Sequence, residues 1–186
     1  MNSWIQTFSG EKVDPLNPQP ENIHLIDVAH SLSQQCRFTG HTTKFYSVAR
    51  HSINCAKLMR AVTGDPVFLK SALLHDAGEA YLSDIARPVK HSGGMDEYCK
   101  IEKNIENAVC RRFGTIFPHN KDLKWVDNVM LRAEAEKLLM RGPLDNWHLT
   151  LPTCETFNVF LPNNWFESDP AKDCKEFLDL YGQYQY

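Results

Sequence analysis

The chain has 186 residues, 42% of them apolar, and a formal charge of −3. That length favours one compact domain with its own core, and that composition excludes general disorder. Lysines and arginines are scattered, which excludes the basic footprint of a polymeric nucleic-acid binder but leaves room for a small anionic ligand.

No window reaches the ~18 apolar residues of a membrane span. Met1-Asn2-Ser3-Trp4 opens no signal-peptide pattern, and six cysteines show no CxxC pair. These features predict a cytoplasmic protein with reduced thiols, away from membranes.

The elements follow in chain order. Ile5-Gln6-Thr7-Phe8, a Ser9-Gly10 turn and Lys12-Val13 predict a small hairpin. Pro15, Pro18 and Pro20 make the rest of residues 1–20 an irregular lead-in. From Asn22 the pattern turns helical, with Ile26, Ala29, Leu32 and Ser33 on one face and Asp27 in the first turn. A polar loop from Cys36 to His41 follows. Ser47 can cap the next helix, whose stripe is Val48, His51, Cys55, Leu58, Met59 and Val62. Asp65-Pro66 pairs a capping residue with proline at the first helical position. Phe68, Leu69, Ala72, Leu73 and Asp76 continue inward from there, and Pro88 marks the end of an irregular segment after Tyr81.

A fourth helix is predicted from about Asp96 to Phe113, and a fifth from Asp122, fading near Gly142-Pro143. The fifth carries Leu123, Val126, Asp127, Met130 and Ala133-Glu134 inward. Residues 143–186 form a loop-rich extension with one short helix and a last helix starting at Asp169-Pro170. The fold class is all-α: a compact orthogonal helical bundle with an N-terminal β-hairpin, as one domain over residues 1–186. Apolar surface on the fourth and last helices would suit self-association into a homo-oligomer.

The stretch with chemistry is Ser71 to Tyr81, where an apolar helix ends in His75-Asp76 and Glu79 follows a turn later. Burying such groups is costly unless a cation or a set of ion pairs compensates them. His51, His75, Asp76 and Asp127 project from three separate inward faces. Two imidazoles and two carboxylates suit a six-coordinate divalent ion with positions left for water and substrate. Asp122, nearer the helix start, competes with Asp127 but reads better as a cap. His24, His30, His91, His119 and His148 lack converging partners, and Trp125, Trp147 and Trp165 read as core or lid residues.

The order His51, His75-Asp76, Asp127 resembles the H…HD…D signature of the HD-domain phosphohydrolases. The wider text is similar to the small bacterial and phage branch of 5′-deoxynucleotidases and dATP triphosphohydrolases, notably Cys36-Arg37-Phe38-Thr39-Gly40-His41, Leu74 to Tyr81 and Asp84-Ile85-Ala86-Arg87-Pro88-Val89-Lys90. The resemblance implies an HD-domain fold and a divalent metal (Mn, Co, Ni, Fe, Zn or Mg) on His51, His75, Asp76 and Asp127. It implies Glu79 and Asp84 as the acids that manage protons, and Arg37, Phe38 and Lys90 as substrate contacts; His41, after Gly40 in the loop between Arg37 and His51, can approach the same cleft as a further substrate contact. The implied reaction removes phosphate from a dNMP or triphosphate from a dNTP, dATP among them. A nucleotide phosphodiesterase and a non-catalytic nucleotide-binding protein are the alternatives.

Overall fold

A computed structural model describes residues 4–117, 119–140 and 161–185. The expectations for residues 143–160, with Trp147 and His148, lie outside them. The described chain is mostly helical, with a two-stranded hairpin at its start.

In the hairpin, β1 (Ile5–Gln6) pairs antiparallel with β2 (Lys12–Val13), Ile5 opposite Val13. Gly10 closes the turn at φ +89°, a conformation that costs glycine nothing. The turn is tied to α1 (Leu25–Gln34) by the buried Asp27, whose carboxylate accepts from Ser9 N (2.6 Å) and Ser9 Oγ (2.8 Å). This demand on Asp27 shifts the inward face. Val28, Ala29, Leu32 and Ser33 are buried, whereas Ile26, expected inside, is exposed.

Helix α2 (Val48–Val62) starts where Ser47 Oγ accepts from Arg50 N. A one-sided stripe was expected. Instead every residue from Val48 to Ala56 is buried, because α1, α3, α7 and α8 all pack on this helix; Val62 at its far end is exposed. Helix α3 (Pro66–Leu73) begins as predicted, with Asp65 accepting from Val67 N. It then stops at Leu73. The apolar helix expected to end in His75-Asp76 thus ends just before that pair, and tight turns (Ala77 N to Leu74 O, Glu79 N to Asp76 O) lead into a separate four-residue α4 (Glu79–Leu82). Pro88 marks the end of the irregular residues 83–86, as expected, and does so from the first turn of the short α5 (Arg87–Lys90).

Helix α6 (Asp96–Phe113) has the predicted bounds and ends on Gly114 at φ +66°. Helix α7 (Lys121–Leu138) is capped by Asn120, whose side chain accepts from Leu123 N at 2.8 Å, so Asp122 is not the cap. Helix α8 (Pro170–Gln183) is capped by Asp169. It is fastened to α2 by the buried Asp173, which accepts from Ser47 Oγ (2.6 Å) and Arg50 Nε (2.9 Å). Buried side chains from Val13 to Tyr184 make one contiguous core. Among the described residues, no helix is long and apolar enough to cross a membrane.

Candidate metal centre

The first donor, His51, is fully buried on α2. Its Nδ1 faces Glu134 Oε1 at 2.7 Å. Burial alone would raise the Glu134 pKa, but Arg37, His51 and Tyr46 outweigh it and hold the carboxyl below its usual range. Glu134 is therefore an acceptor, and Nδ1 carries the proton. His75 lies just past the end of α3, and its Nδ1 donates to the Ala72 carbonyl at 2.8 Å. Both imidazoles thus turn their Nε2 atoms inward, where they meet at 3.2 Å. Two bare lone pairs at that distance repel unless a proton or a cation lies between them.

Carboxylates complete the cage. Asp76 Oδ2 is 3.3 Å from His75 Nε2 and 3.6 Å from His51 Nε2; Asp127 Oδ1 is 3.3 Å from His51 Nε2 and 3.9 Å from His75 Nε2. Donors that each sit about 2.1 Å from one ion are roughly 3–3.5 Å apart, so the residues present fit a cation. Burial works against both carboxylates, but the imidazoles press their pKa values down, with help from Arg37 at Asp76 and Arg87 at Asp127. His51 is pushed up: burial and Arg37 oppose its charge, and Cys55, Glu134 and Asp127 outweigh them. The identity of the second aspartate follows: Asp127 reaches the centre, and Asp122 is exposed in the first turn of α7.

Cys55 also lies in this cluster. His51, Cys55 and His75 alone could hold a metal ion. However, Cys55 Sγ is 3.5 Å from His51 Nε2 and 3.9 Å from Nδ1. A sulfur nearly equidistant from both ring nitrogens lies over the imidazole face, not along the in-plane lone pair of Nε2. Burial also pushes its thiol up to about 11. The aspartates are the better-placed third and fourth donors.

Around the cage, Arg37 is buried, with Nε on Glu134 Oε2 (3.2 Å), Nη1 near Asp76 Oδ2 (3.6 Å) and its guanidinium 5.6 Å from the Phe38 ring centroid. Burial disfavours its charge, but Glu134 and Asp76 outweigh that and push its pKa up. Glu79 Oε2 is buried and has no hydrogen-bond partner among the described residues. Burial, Asp76 and Asp84 push Glu79 well above the usual carboxyl range, with Lys90 and Arg37 opposing. Asp84 is half-buried nearby. Lys90 is bound to Glu102 (2.6 Å) and lies 3.6 Å from Glu79, so it acts first on carboxylates rather than as a free phosphate contact. His41 is exposed, and no described contact joins it to the centre.

Sequence reasoning missed three participants. Glu134 was placed inward without a role, yet it joins His51, Arg37 and Tyr46 OH (2.9 Å). Arg87 holds the outer oxygen of Asp127 at 2.6 Å and Asn128 at 2.8 Å. His119, read as partnerless, stands edge-on to His75 with ring centroids 6.2 Å apart. Trp125, read as core or lid, is exposed, whereas Trp165 is core. Among the described residues, the non-glycines with positive φ are Phe38 (+54°), Thr39 (+53°) and Ser83 (+67°). They directly follow Arg37 or precede Asp84, and backbone strain of this kind gathers at functional sites.

Compared with known proteins, the chain is 36% identical over 162 residues to the uncharacterized protein YfdR of Escherichia coli K12, covering 84% of this chain and 85% of that one. It is 37% identical over 144 residues to the uncharacterized protein RCAP_rcc00048 of Rhodobacter capsulatus, covering 73% of each. The chain belongs to their family. No family model matches it.

Proposed function

We propose that this chain is a metal-dependent phosphohydrolase that cleaves the 5′ phosphate ester of deoxyribonucleotides. The observation that carries the reading is the four-donor cage of His51, His75, Asp76 and Asp127 beside a buried Glu79 oxygen that meets no hydrogen-bond partner among the described residues. The H…HD…D order, which resembles the HD-domain phosphohydrolases, supports it. A divalent ion in the cage would neutralise a phosphoryl oxygen and make a nearby water acidic enough to attack phosphorus.

The chain's own groups do the rest. Arg37 is held in a fixed plane by Glu134 at Nε and by Asp76, 3.6 Å from Nη1, which aims its guanidinium fork at a phosphate beside the cage. Burial, Asp76 and Asp84 make the Glu79 carboxyl hold a proton more readily than a free one, and it gives that proton to the departing 5′ oxygen. Asp84 takes the proton from the attacking water. Arg37, Arg87 and Lys90 are each already paired with carboxylates, which favours a single phosphate over a triphosphate tail.

The test is a panel of dNMPs, dNTPs and ribonucleotides with manganese or cobalt, scoring phosphate and triphosphate, alongside metal analysis. About one ion per chain, released by His75→Ala with Asp76→Ala, and metal-dependent phosphate release from dNMPs are expected. A well-folded protein that takes up no metal would mean that an imidazolium and carboxylates simply pair, and would end the enzyme reading.

A further inference from the structure

Helix α4 is four residues long, too short to hold itself in place, yet it begins at Glu79, and Asp84 follows two residues after its end. The end of α1 supplies the missing hold. Gln35 Nε2 donates to the Glu79 carbonyl at 3.0 Å, and Gln35 Oε1 accepts from Asp84 N at 3.1 Å. One turn earlier, Ser31 Oγ donates to the Ala80 carbonyl (3.0 Å) and accepts from Gln35 Nε2 (3.1 Å). The partners decide which way the Gln35 amide faces, since a carbonyl only accepts and a backbone N–H only donates.

Ser83 lies between the acids at φ +67°, and its N–H also donates to the Glu79 carbonyl, at 2.8 Å. This left-handed residue turns the chain so that the Asp84 N–H meets Gln35. A serine persists in that conformation only where its surroundings hold it. Gln35 is thus bonded to both ends of the acid-bearing segment. Its own carbonyl, meanwhile, accepts from Val48 N at the start of α2, the helix that carries His51.

We propose that Gln35 is a positioning residue that sets the spacing of Glu79 and Asp84 relative to each other and to the cage. The proposal rests on the phosphohydrolase reading for its consequence and on hydrogen bonding for its geometry, so the two are tested separately. Gln35→Met keeps the side chain's length and removes both bonds. Ser31→Ala is a milder variant, and Ser83→Gly relieves the strain because glycine takes positive φ freely.

In Gln35→Met, the Asp84 amide should exchange with solvent at least about tenfold faster by NMR, while α2 amides and metal content stay as in the parent. The kcat for a dNMP should fall about tenfold to a hundredfold with little change in KM, since misplacing a reacting group by an ångström costs on that order. Adding Ser83→Gly should recover part of kcat, and Ser31→Ala should move the same readouts in the same direction by less. Unchanged Asp84 exchange in Gln35→Met and Ser31→Ala would overturn the clamp. Faster exchange with undiminished kcat would overturn its role in aligning the acids. A parent that hydrolyses no nucleotide would overturn the phosphohydrolase reading, and with it the role of the acids, while the Asp84 exchange still reports the clamp.

Discussion

Glu134→Gln removes the negative charge on which the buried side of the centre rests. Glu134 is fully buried and accepts from His51 Nδ1 (2.7 Å), Tyr46 OH (2.9 Å) and Arg37 Nε (3.2 Å). Glutamine keeps the shape and one oxygen. With that oxygen retained by His51 and Tyr46, the new amide nitrogen faces Arg37 Nε, donor against donor. Arg37 is then left with Asp76 at 3.6 Å in a site where it is only 8% exposed. Removing one partner of a buried ion pair costs about 3–5 kcal/mol, and the two surviving bonds place this case near the lower figure. In a chain of this length each kcal/mol lowers Tm by about 2–4 °C, so a fall of roughly 6–12 °C is expected.

The assay is urea unfolding of metal-free protein, where a shift in midpoint at constant slope reads the loss. It carries a second signature. The Glu134 carboxyl is held below its ordinary pKa in the folded state, so its contribution is present above that ordinary value and is lost as pH falls through the depressed one. The gap between parent and variant should therefore close in acid. A destabilisation under ~1 kcal/mol at pH 7, typical of an unremarkable substitution, would refute the reasoning. So would a gap that does not change with pH.

Other expectations follow from the same geometry. Glu79→Ala should retain its metal and lose about 10²–10⁴ in turnover, because Glu79 is assigned to proton transfer and not to coordination; unchanged turnover would show that role to be misassigned. Glu106, half-buried on α6, is pushed up to about 7 by burial, Glu102 and Asp76, with Lys90 opposing. A raised carboxyl contributes stability that is fully present below its ordinary pKa and lost as pH rises through about 7. Glu106→Gln should thus be more stable than the parent at pH 8 by about 1 kcal/mol after solvent screening, and equal to it near pH 4. Denaturation at both pH values checks the sign.

Local chemistry wrote much of this molecule into its chain. Asp65-Pro66, Asp169-Pro170 and Ser47 announce helix starts because capping needs only near neighbours. Helix α6 has the bounds its pattern predicts, and His51 and Asp127 stand out in the chain as polar residues in the apolar stripes of α2 and α7. What the order of residues could not disclose was set by partners far along the chain. Glu134 meets His51 83 positions away, Asp173 meets Arg50 123 positions away, and Gln35 meets Asp84 49 positions away. The break between α3 and α4 and the burial of α2 on all sides likewise depend on helices packing together. A carboxylate in the sequence has the same formula whether it caps a helix, salts the surface or holds an imidazole. Only the tertiary fold, by bringing a specific donor within 3 Å or so in a place without water, decides which.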